Sequence, residues 1–140
     1  MADIALKAAQ IALTSPKDAE VDFVIAAETI TAGQALFIDT NGKAQLADAN
    51  ASGEQQTRGL ALEGAGSGSG LSVLKRGRVY GYTLTDQAYD APIYQSDTVG
   101  VFADAAGTMT VPVGIVEGLS DDGNITKVFF FNPRRREDYS

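Results

Sequence analysis

The sequence predicts an all-β protein, a small β-barrel or sandwich with an N-terminal arm and two similar halves. The chain has 15 glycines and only 8% aromatic residues, a composition typical of many turns around a core of small aliphatic side chains. Asn41-Gly42 and Asp122-Gly123 are strong hairpin signals because both residue pairs tolerate the positive φ angles of tight turns. A chain of 140 residues is long enough for one domain with its own core.

The first 20 residues differ in composition from the rest of the chain. Residues 4–13 are rich in alanine and suit either a short helix or an extended segment, and Pro16 then breaks the pattern. Terminal segments stay poorly ordered unless something ties them down. We therefore predict that residues 1–20 form an N-terminal arm. The alternative is an edge strand or helix that packs on its own domain.

Short strands separated by glycine-containing turns follow, and they define a β-barrel domain at residues 21–132. The predicted strands lie at residues 21–25, 35–39, 43–47, 59–63, 71–84 and 125–131. Gly77 and Gly81, inside the longest of these, indicate a bulge or a tight barrel corner. Pro133 ends the last strand, and residues 133–140 are predicted to be a solvated C-terminal tail.

An internal similarity indicates two halves with one supersecondary pattern. Residues 36–42 resemble residues 94–100, and residues 59–64 resemble residues 114–118. The spacing between the two copies changes only across loops, as expected for related halves. The alternative is chance, since the matching residues are common ones.

Composition argues against several classes of chemistry. The chain has no histidine and no cysteine, so Ser-His or Cys-His nucleophiles and thiolate metal sites are impossible. Its formal net charge of −7 disfavours binding to nucleic acid. We therefore predict a protein that is not an enzyme and has no catalytic, cofactor-binding or metal-binding residues.

Two local motifs point weakly toward ligands. Residues 64–70 are rich in glycine but lack the Gly-Lys-Ser/Thr ending of a phosphate-binding loop, which favours a flexible connection. Residues 121–124 carry carboxylates that suit calcium, but the spaced ligands and closing glutamate of an EF-hand are missing.

Several short motifs resemble those of the capsid cement or head-decoration proteins of tailed bacteriophages. The resemblance spans residues 21–131 and is carried by residues 30–39 with the Asn41-Gly42 turn, 58–62, 75–79 and 113–116. It implies a compact β-barrel or sandwich that assembles as a homotrimer. It further implies a place on the outer face of the capsid, where the trimer clamps subunits of the major capsid protein and an N-terminal arm reaches onto the shell. The resemblance offers no catalytic residues.

The expected function is that of a structural virion protein that stabilises contacts between major capsid subunits. The candidate capsid contacts are the apolar residues of the arm and the basic cluster of the tail: Ile4, Leu6, Ile11, Leu13, Arg134, Arg135 and Arg136. The arginine cluster is suited to an acidic partner or to nucleic acid. A solvated tail, neutralised in part by Glu137 and Asp138, is the alternative.

Other classes of protein remain as alternatives. One is another virion component, such as a tail or fibre module that binds glycans, although the absence of tryptophan weakens a sugar-stacking site. The other is a small enzyme or a bacterial shell component. The sequence has neither a secretory signal pattern nor an apolar run of 18 residues, which predicts synthesis in the host cytoplasm without a membrane span.

Overall fold

The computed structural model describes residues 2–14, 16–121, 123–134 and 138–139. An antiparallel sheet curls into a half-barrel, which confirms the predicted all-β class. The strands are β1 (Ala12–Leu13), β2 (Glu20–Ile25), β3 (Ala35–Ile38), β4 (Ala44–Leu46), β5 (Gly59–Ala61), β6 (Gly70–Tyr80), β7 (Pro92–Gln95), β8 (Phe102–Ala103), β9 (Pro112–Asp121) and β10 (Asn124–Phe131). Two short 3₁₀ helices, Ala8–Gln10 and Pro16–Asp18, complete the elements. None of the helices in the described ranges is long and apolar enough to cross a membrane.

The long strand β6 lies in the middle of the sheet and pairs with strands of both halves. Its N-terminal part lies between β2 and β5, and its C-terminal part lies between β1 and β10. Gly81, just after β6, has a φ of 110°, and a Cβ atom there would lie 2.5 Å from Ile11 Cδ1. The absence of a side chain therefore lets the chain turn tightly against the N-terminal segment, in agreement with the predicted corner.

The two halves of the chain have the same strand order. In the first half β3 lies between β4 and β5, and in the second half β7 lies between β8 and β9. By the sequence similarity Leu36 corresponds to Tyr94 and Gly59 to Gly114, but Gly59 lies opposite Leu36 whereas Gly114 lies opposite Ile93, so the two registers differ by one residue. A register shift after Ile93 adds one residue to the second half. The strand order that the internal similarity predicted is therefore present.

The core has a large and a small cluster, formed by side chains that alternate across the sheet. The large cluster contains four rings in edge-to-face contact, with centroids 5.0–5.9 Å apart: Tyr82, Phe102, Phe129 and Phe131. The small cluster contains Ala26, Ile30, Leu36, Ala44, Ala61, Leu71 and Val73. On β3, Ala35 and Phe37 belong to the large cluster and Leu36 to the small one, as the alternation of a strand requires.

A buried glutamine ties the two halves together. The side chain of Gln95 on β7 is fully buried, and its Oε1 accepts a hydrogen bond from the Thr57 hydroxyl at 2.9 Å. Its Nε2 donates to the carbonyl oxygens of Ala47 at 3.1 Å and Val101 at 2.9 Å. Because these bonds satisfy both ends of the amide, burial of this polar group is compatible with a stable core.

The N-terminal segment packs on the domain, which corrects the prediction of a separate arm at residues 1–20. Ile4 is only 4% exposed and belongs to the large cluster. Its N–H donates to the carbonyl of Phe102 at 2.8 Å, and the carbonyl of Ala5 accepts the N–H of Thr83 at 2.8 Å. β1 then pairs with the end of β6. Burial of an apolar anchor together with backbone pairing explains why the segment does not extend away from the domain.

The C-terminal segment also differs from the predicted solvated tail. Tyr139 is 2% exposed, and its N–H donates to Gln56 Oε1 at 2.8 Å. Its carbonyl accepts side-chain N–H groups of Gln55 and Gln56, and its hydroxyl oxygen accepts the N–H of Arg134. The prediction of a tail wholly in solvent is therefore wrong at Tyr139. Residues 135–137 lie outside the described residues.

The Asn41-Gly42 hairpin joins β3 to β4 as predicted. Gly42 has a φ of 79°, and the Asp39 carboxylate accepts the N–H groups of Asn41 at 2.9 Å and Lys43 at 3.0 Å. The Gln45 side chain donates to the same carboxylate at 2.7 Å. The hydrogen bond from the Lys43 backbone, followed by that from Gln45, lowers the pKa of Asp39 below its usual 3.8.

We expect the Asp39→Asn variant to lose part of the acid dependence of stability. Because the folded state lowers the pKa of Asp39, its contribution is present above the unfolded value of about 3.8 and is lost as the pH falls through the folded value. Melting temperatures measured from pH 2 to pH 6 should therefore fall less steeply for the variant at the acid end. A slope equal to that of the wild type would contradict this role of Asp39.

Candidate functional site

Strand β2 presents an apolar face to solvent. Val21, Phe23 and Ile25 are 49%, 68% and 46% exposed, and we call these three residues the β2 face. Successive side chains of a strand point to opposite sides, so the three share one side of the sheet. Val24, on the opposite side, is partly buried against the small core cluster. β2 therefore uses one side for the fold and leaves its more apolar side uncovered.

The outer edge of β2 is open over its first residues. β2 forms a ladder only with β6 among the described strands, and just beyond it Ala26 donates its N–H to Ser69 on the inner side and forms an isolated parallel bridge with Ala44 of β4 on the outer side. Since backbone groups alternate in direction along a strand, those of Val21, Phe23 and Ile25 point away from β6. The Phe23 N–H is accepted locally by Asp22 Oδ1 at 3.0 Å, as expected for a group that faces outward. We call the outward backbone groups of Val21 and Phe23, with the outward N–H of Ile25, the open edge, because the Ala26–Ala44 bridge brings β4 beside the end of β2.

Backbone segments cover the other outer strands of the sheet. Along β4, the N–H of Ala27 donates to the carbonyl of Ala44 at 2.9 Å. Along β8, the N–H of Ile4 donates to the carbonyl of Phe102 at 2.8 Å. β1 is two residues long, whereas β2 has six. Within the described ranges, β2 therefore has an uncovered outer edge from Val21 to Phe23, and the β9–β10 hairpin has the other long uncovered edges, at residues 117–121 and 124–128.

A glycine on the neighbouring strand positions the most exposed ring of the β2 face. A Cβ atom at Gly70 would lie 2.3 Å from Phe23 Cζ, so the ring occupies the space that a side chain at Gly70 would fill. Ile25 is the residue opposite Gly70, and Phe23 is diagonal to it. An aromatic ring that covers a glycine on the adjacent strand is held against the sheet while its outer side stays in solvent.

A second exposed apolar group lies near the β9–β10 hairpin. Ile125 is 64% exposed, and Tyr89 is 48% exposed. The Lys127 ammonium lies 5.2 Å from the centre of the Tyr89 ring, which gives this ring an intramolecular cation–π partner. Ile125 lies on a paired strand, opposite Ser120 on β9. This patch therefore has two exposed apolar residues, where the β2 face has three.

The structure places the predicted contact residues of the N-terminal segment mainly against the domain. Ile4 is buried and cannot reach a partner surface, which corrects its assignment as a capsid contact. Leu6 and Ile11 are partly buried and pack against the backbone at Gly33. Leu13 in β1 is partly buried against the large core cluster.

The predicted basic cluster is described only at its first residue. Arg134 is exposed, and its guanidinium lies 5.1 Å from the centre of the Tyr139 ring. Arg135 and Arg136 lie outside the described residues.

Sequence reasoning missed the β2 face as a site. Residues 21–25 were predicted as a strand, and their partial alternation was visible. A partly alternating strand is normally assigned with its apolar side in the core, because burial of that side is the usual source of stability. The signal that could have found the face is Val24, a second apolar position on the opposite side.

The pKa values of three further titratable groups are shifted by hydrogen bonds and burial within the fold. Hydrogen bonds from the backbone and side chain of Ser72 lower the pKa of Glu63, and burial raises the pKa of Tyr82 and Tyr139. Over the part of the chain that the structure describes, carboxylates do not form a group of three or more that could hold a metal ion.

Comparison with protein-family models, curated proteins and solved structures finds no match for the chain. The chain is an all-β domain with an uncovered edge strand whose exposed face is apolar.

Proposed function

We propose that the chain is a structural protein of a tailed-bacteriophage particle. It binds the outer face of the capsid as a homotrimer and stabilises contacts between major capsid subunits. The sequence motifs within residues 21–131 that resemble capsid cement proteins give the starting point. The observation that carries the proposal is the β2 face beside its open edge, because an exposed apolar surface of this kind usually marks a contact with another protein.

The fold suits a protein that works through contact area. Stable interfaces between proteins bury about 1,200–2,000 Å² in total, and they require complementary surfaces rather than reactive groups. The ten-stranded sheet and its two core clusters provide a rigid support on which such a surface keeps its shape. On a symmetric shell, several copies of one modest contact act together through effective concentration.

The formal charge supports the same proposal. With a net charge of −7, copies of the chain repel one another in solution. This repulsion helps to keep a protein with an exposed apolar face soluble until it meets its partner. At physiological salt the repulsion between exposed charges is largely screened beyond about 8 Å, so it acts only on close approach, where burial of a complementary apolar surface can outweigh it.

Co-sedimentation with capsids of the phage that encodes the chain tests this proposal. We expect light scattering to give a mass of three chains of 14.6 kDa, and we expect the protein to pellet with expanded capsids. The Phe23→Ser variant should pellet less, because it removes the largest exposed side chain of the β2 face.

Ile125→Ser is the matched control, since Ile125 is similarly exposed but lies outside the β2 face. It should pellet like the wild type. A monomer that stays in the supernatant would contradict the proposed function and would favour a tail or fibre module instead.

A further inference from the structure

We propose that the open edge of β2 is a site of β-strand addition. It takes an extended segment of a partner protein in which apolar residues alternate with lysine or arginine. The inference rests on the proposed function only for the identity of the partner, which would be the major capsid protein. The backbone, the side chains and the charge of β2 each point to this occupant.

Between Val21 and Ile25 the backbone of β2 lacks proline, lysine and a bulge, three devices that normally prevent pairing at an edge. Natural edge strands are protected by proline, lysine, bulges or a covering segment. β2 contains neither proline nor lysine, and its register shift lies at its first residue, between Glu20 and Val21. The outward N–H and C=O groups of Val21 and Phe23, with the outward N–H of Ile25, therefore form a short row that an added strand can pair with, up to the point where Ala26 bridges Ala44.

The side chains of the β2 face favour apolar side chains on one side of the added strand. Residues directly opposite each other in paired strands have Cβ atoms about 4.5–5.5 Å apart. An incoming strand would thus place every second side chain against Val21, Phe23 and Ile25, which are 46–68% exposed. Apolar side chains at these positions would cover the β2 face, and the ring of Phe23 is already held against Gly70 to receive them.

The charge of β2 specifies the other side of the added strand. β2 carries two carboxylates, Glu20 and Asp22, and no basic residue. A second copy of β2 would bring two more carboxylates, and like charges on neighbouring strands are destabilising. A strand with lysine or arginine on this side would instead complement Asp22. Its carbonyl would also replace Asp22 as the acceptor of the Phe23 N–H.

Two peptides that differ only in charge test the inference on the full-length protein. One has the sequence of residues 20–25, and the other carries Glu20→Lys and Asp22→Lys. We expect the basic peptide to perturb and protect the amides of Val21, Phe23 and Ile25 in NMR titration and hydrogen exchange. We expect the acidic peptide to bind at least about tenfold more weakly, because it repeats the carboxylates of β2.

A proline substitution can remove a hydrogen-bond donor of the open edge without removing a hydrogen bond of the fold. The N–H of Ile25 points away from β6, so Ile25→Pro removes an outward donor and leaves the β2–β6 hydrogen bonds in place. This variant should bind the basic peptide roughly tenfold more weakly than the wild type does. Phe23→Thr keeps a residue that favours strands and should also weaken binding, even if the proline variant fails to fold. Ile125→Ser should bind the peptide like the wild type.

The outcomes separate this inference from the proposed function. Perturbations spread away from β2, equal binding of both peptides, or unchanged binding by folded Ile25→Pro and Phe23→Thr variants would each overturn the inference. If these variants also pellet with capsids as the wild type does, the open edge is not the contact and the proposed function stands. If wild-type protein binds the basic peptide at β2 but ignores capsids, the edge site stands and the proposed function fails.

Discussion

Replacing Phe129 with alanine is expected to lower the free energy of unfolding by about 3–5 kcal/mol. Phe129 is 1% exposed and contacts three rings of the large core cluster. Its ring centroid lies 5.2 Å from that of Tyr82, 5.0 Å from that of Phe102 and 5.9 Å from that of Phe131. The loss includes the transfer energy of the ring, the cavity left behind, and the edge-to-face contacts, which add about 0.5–1.5 kcal/mol per aromatic pair.

The neighbouring residue provides the control for this prediction. Phe130 points to the other side of β10, is only partly buried, and has its ring under the guanidinium groups of Arg76 and Arg78 at 5.4 and 4.9 Å. Phe130→Ala should therefore cost about 1 kcal/mol. Urea titrations followed by far-ultraviolet circular dichroism would measure both values. Equal losses at the two positions would show that the four-ring cluster is not the centre of the core.

Features set by local sequence could be predicted. Asn41-Gly42 and Asp122-Gly123 mark the β3–β4 and β9–β10 hairpins because tight turns depend on a few residues with special backbone preferences. Asp122 itself lies outside the described residues. The repeated strand order was also visible, because similar segments fold into similar local units wherever they occur in a chain.

Features set by distant contacts could not be predicted. The burial of Ile4 depends on Phe102, and that of Tyr139 depends on Gln55 and Gln56. These partners are far away in sequence, and a short apolar segment at a terminus has the same composition whether it packs or extends. Terminal position alone therefore favoured an arm and a tail where the structure buries Ile4 and Tyr139.

The same reasoning applies to the candidate site. The sequence excluded chemistry by histidine and cysteine side chains, since neither residue occurs. It could not locate the contact, because the exposure of Phe23 follows from the position of β2 at the outer side of β6. The search for contact residues therefore moves from the termini to the middle of an edge strand.

Deletion of residues 2–13 is expected to destabilise the domain by at least about 5 kcal/mol, the lower end of the total stability of a domain. The deletion removes Ile4 from the large cluster and the pairing of β1 with β6. It also uncovers Gly33 and Gly81, whose backbones pack against Ile11. Truncation of one buried isoleucine to alanine alone costs about 2–5 kcal/mol. Thermal denaturation followed by circular dichroism would show whether a cooperative transition remains.

This prediction decides how a loss of capsid binding on deletion would be interpreted. If the deleted protein does not fold, the absence of binding reports on the core and says nothing about a contact made by the segment. Lys7→Glu reverses the charge of an exposed residue in the same segment and should leave the melting temperature unchanged. Loss of capsid binding in that variant would place a contact at the N-terminal segment. A deleted protein that melts like the wild type would instead show that the segment is dispensable for folding and free to act as an arm.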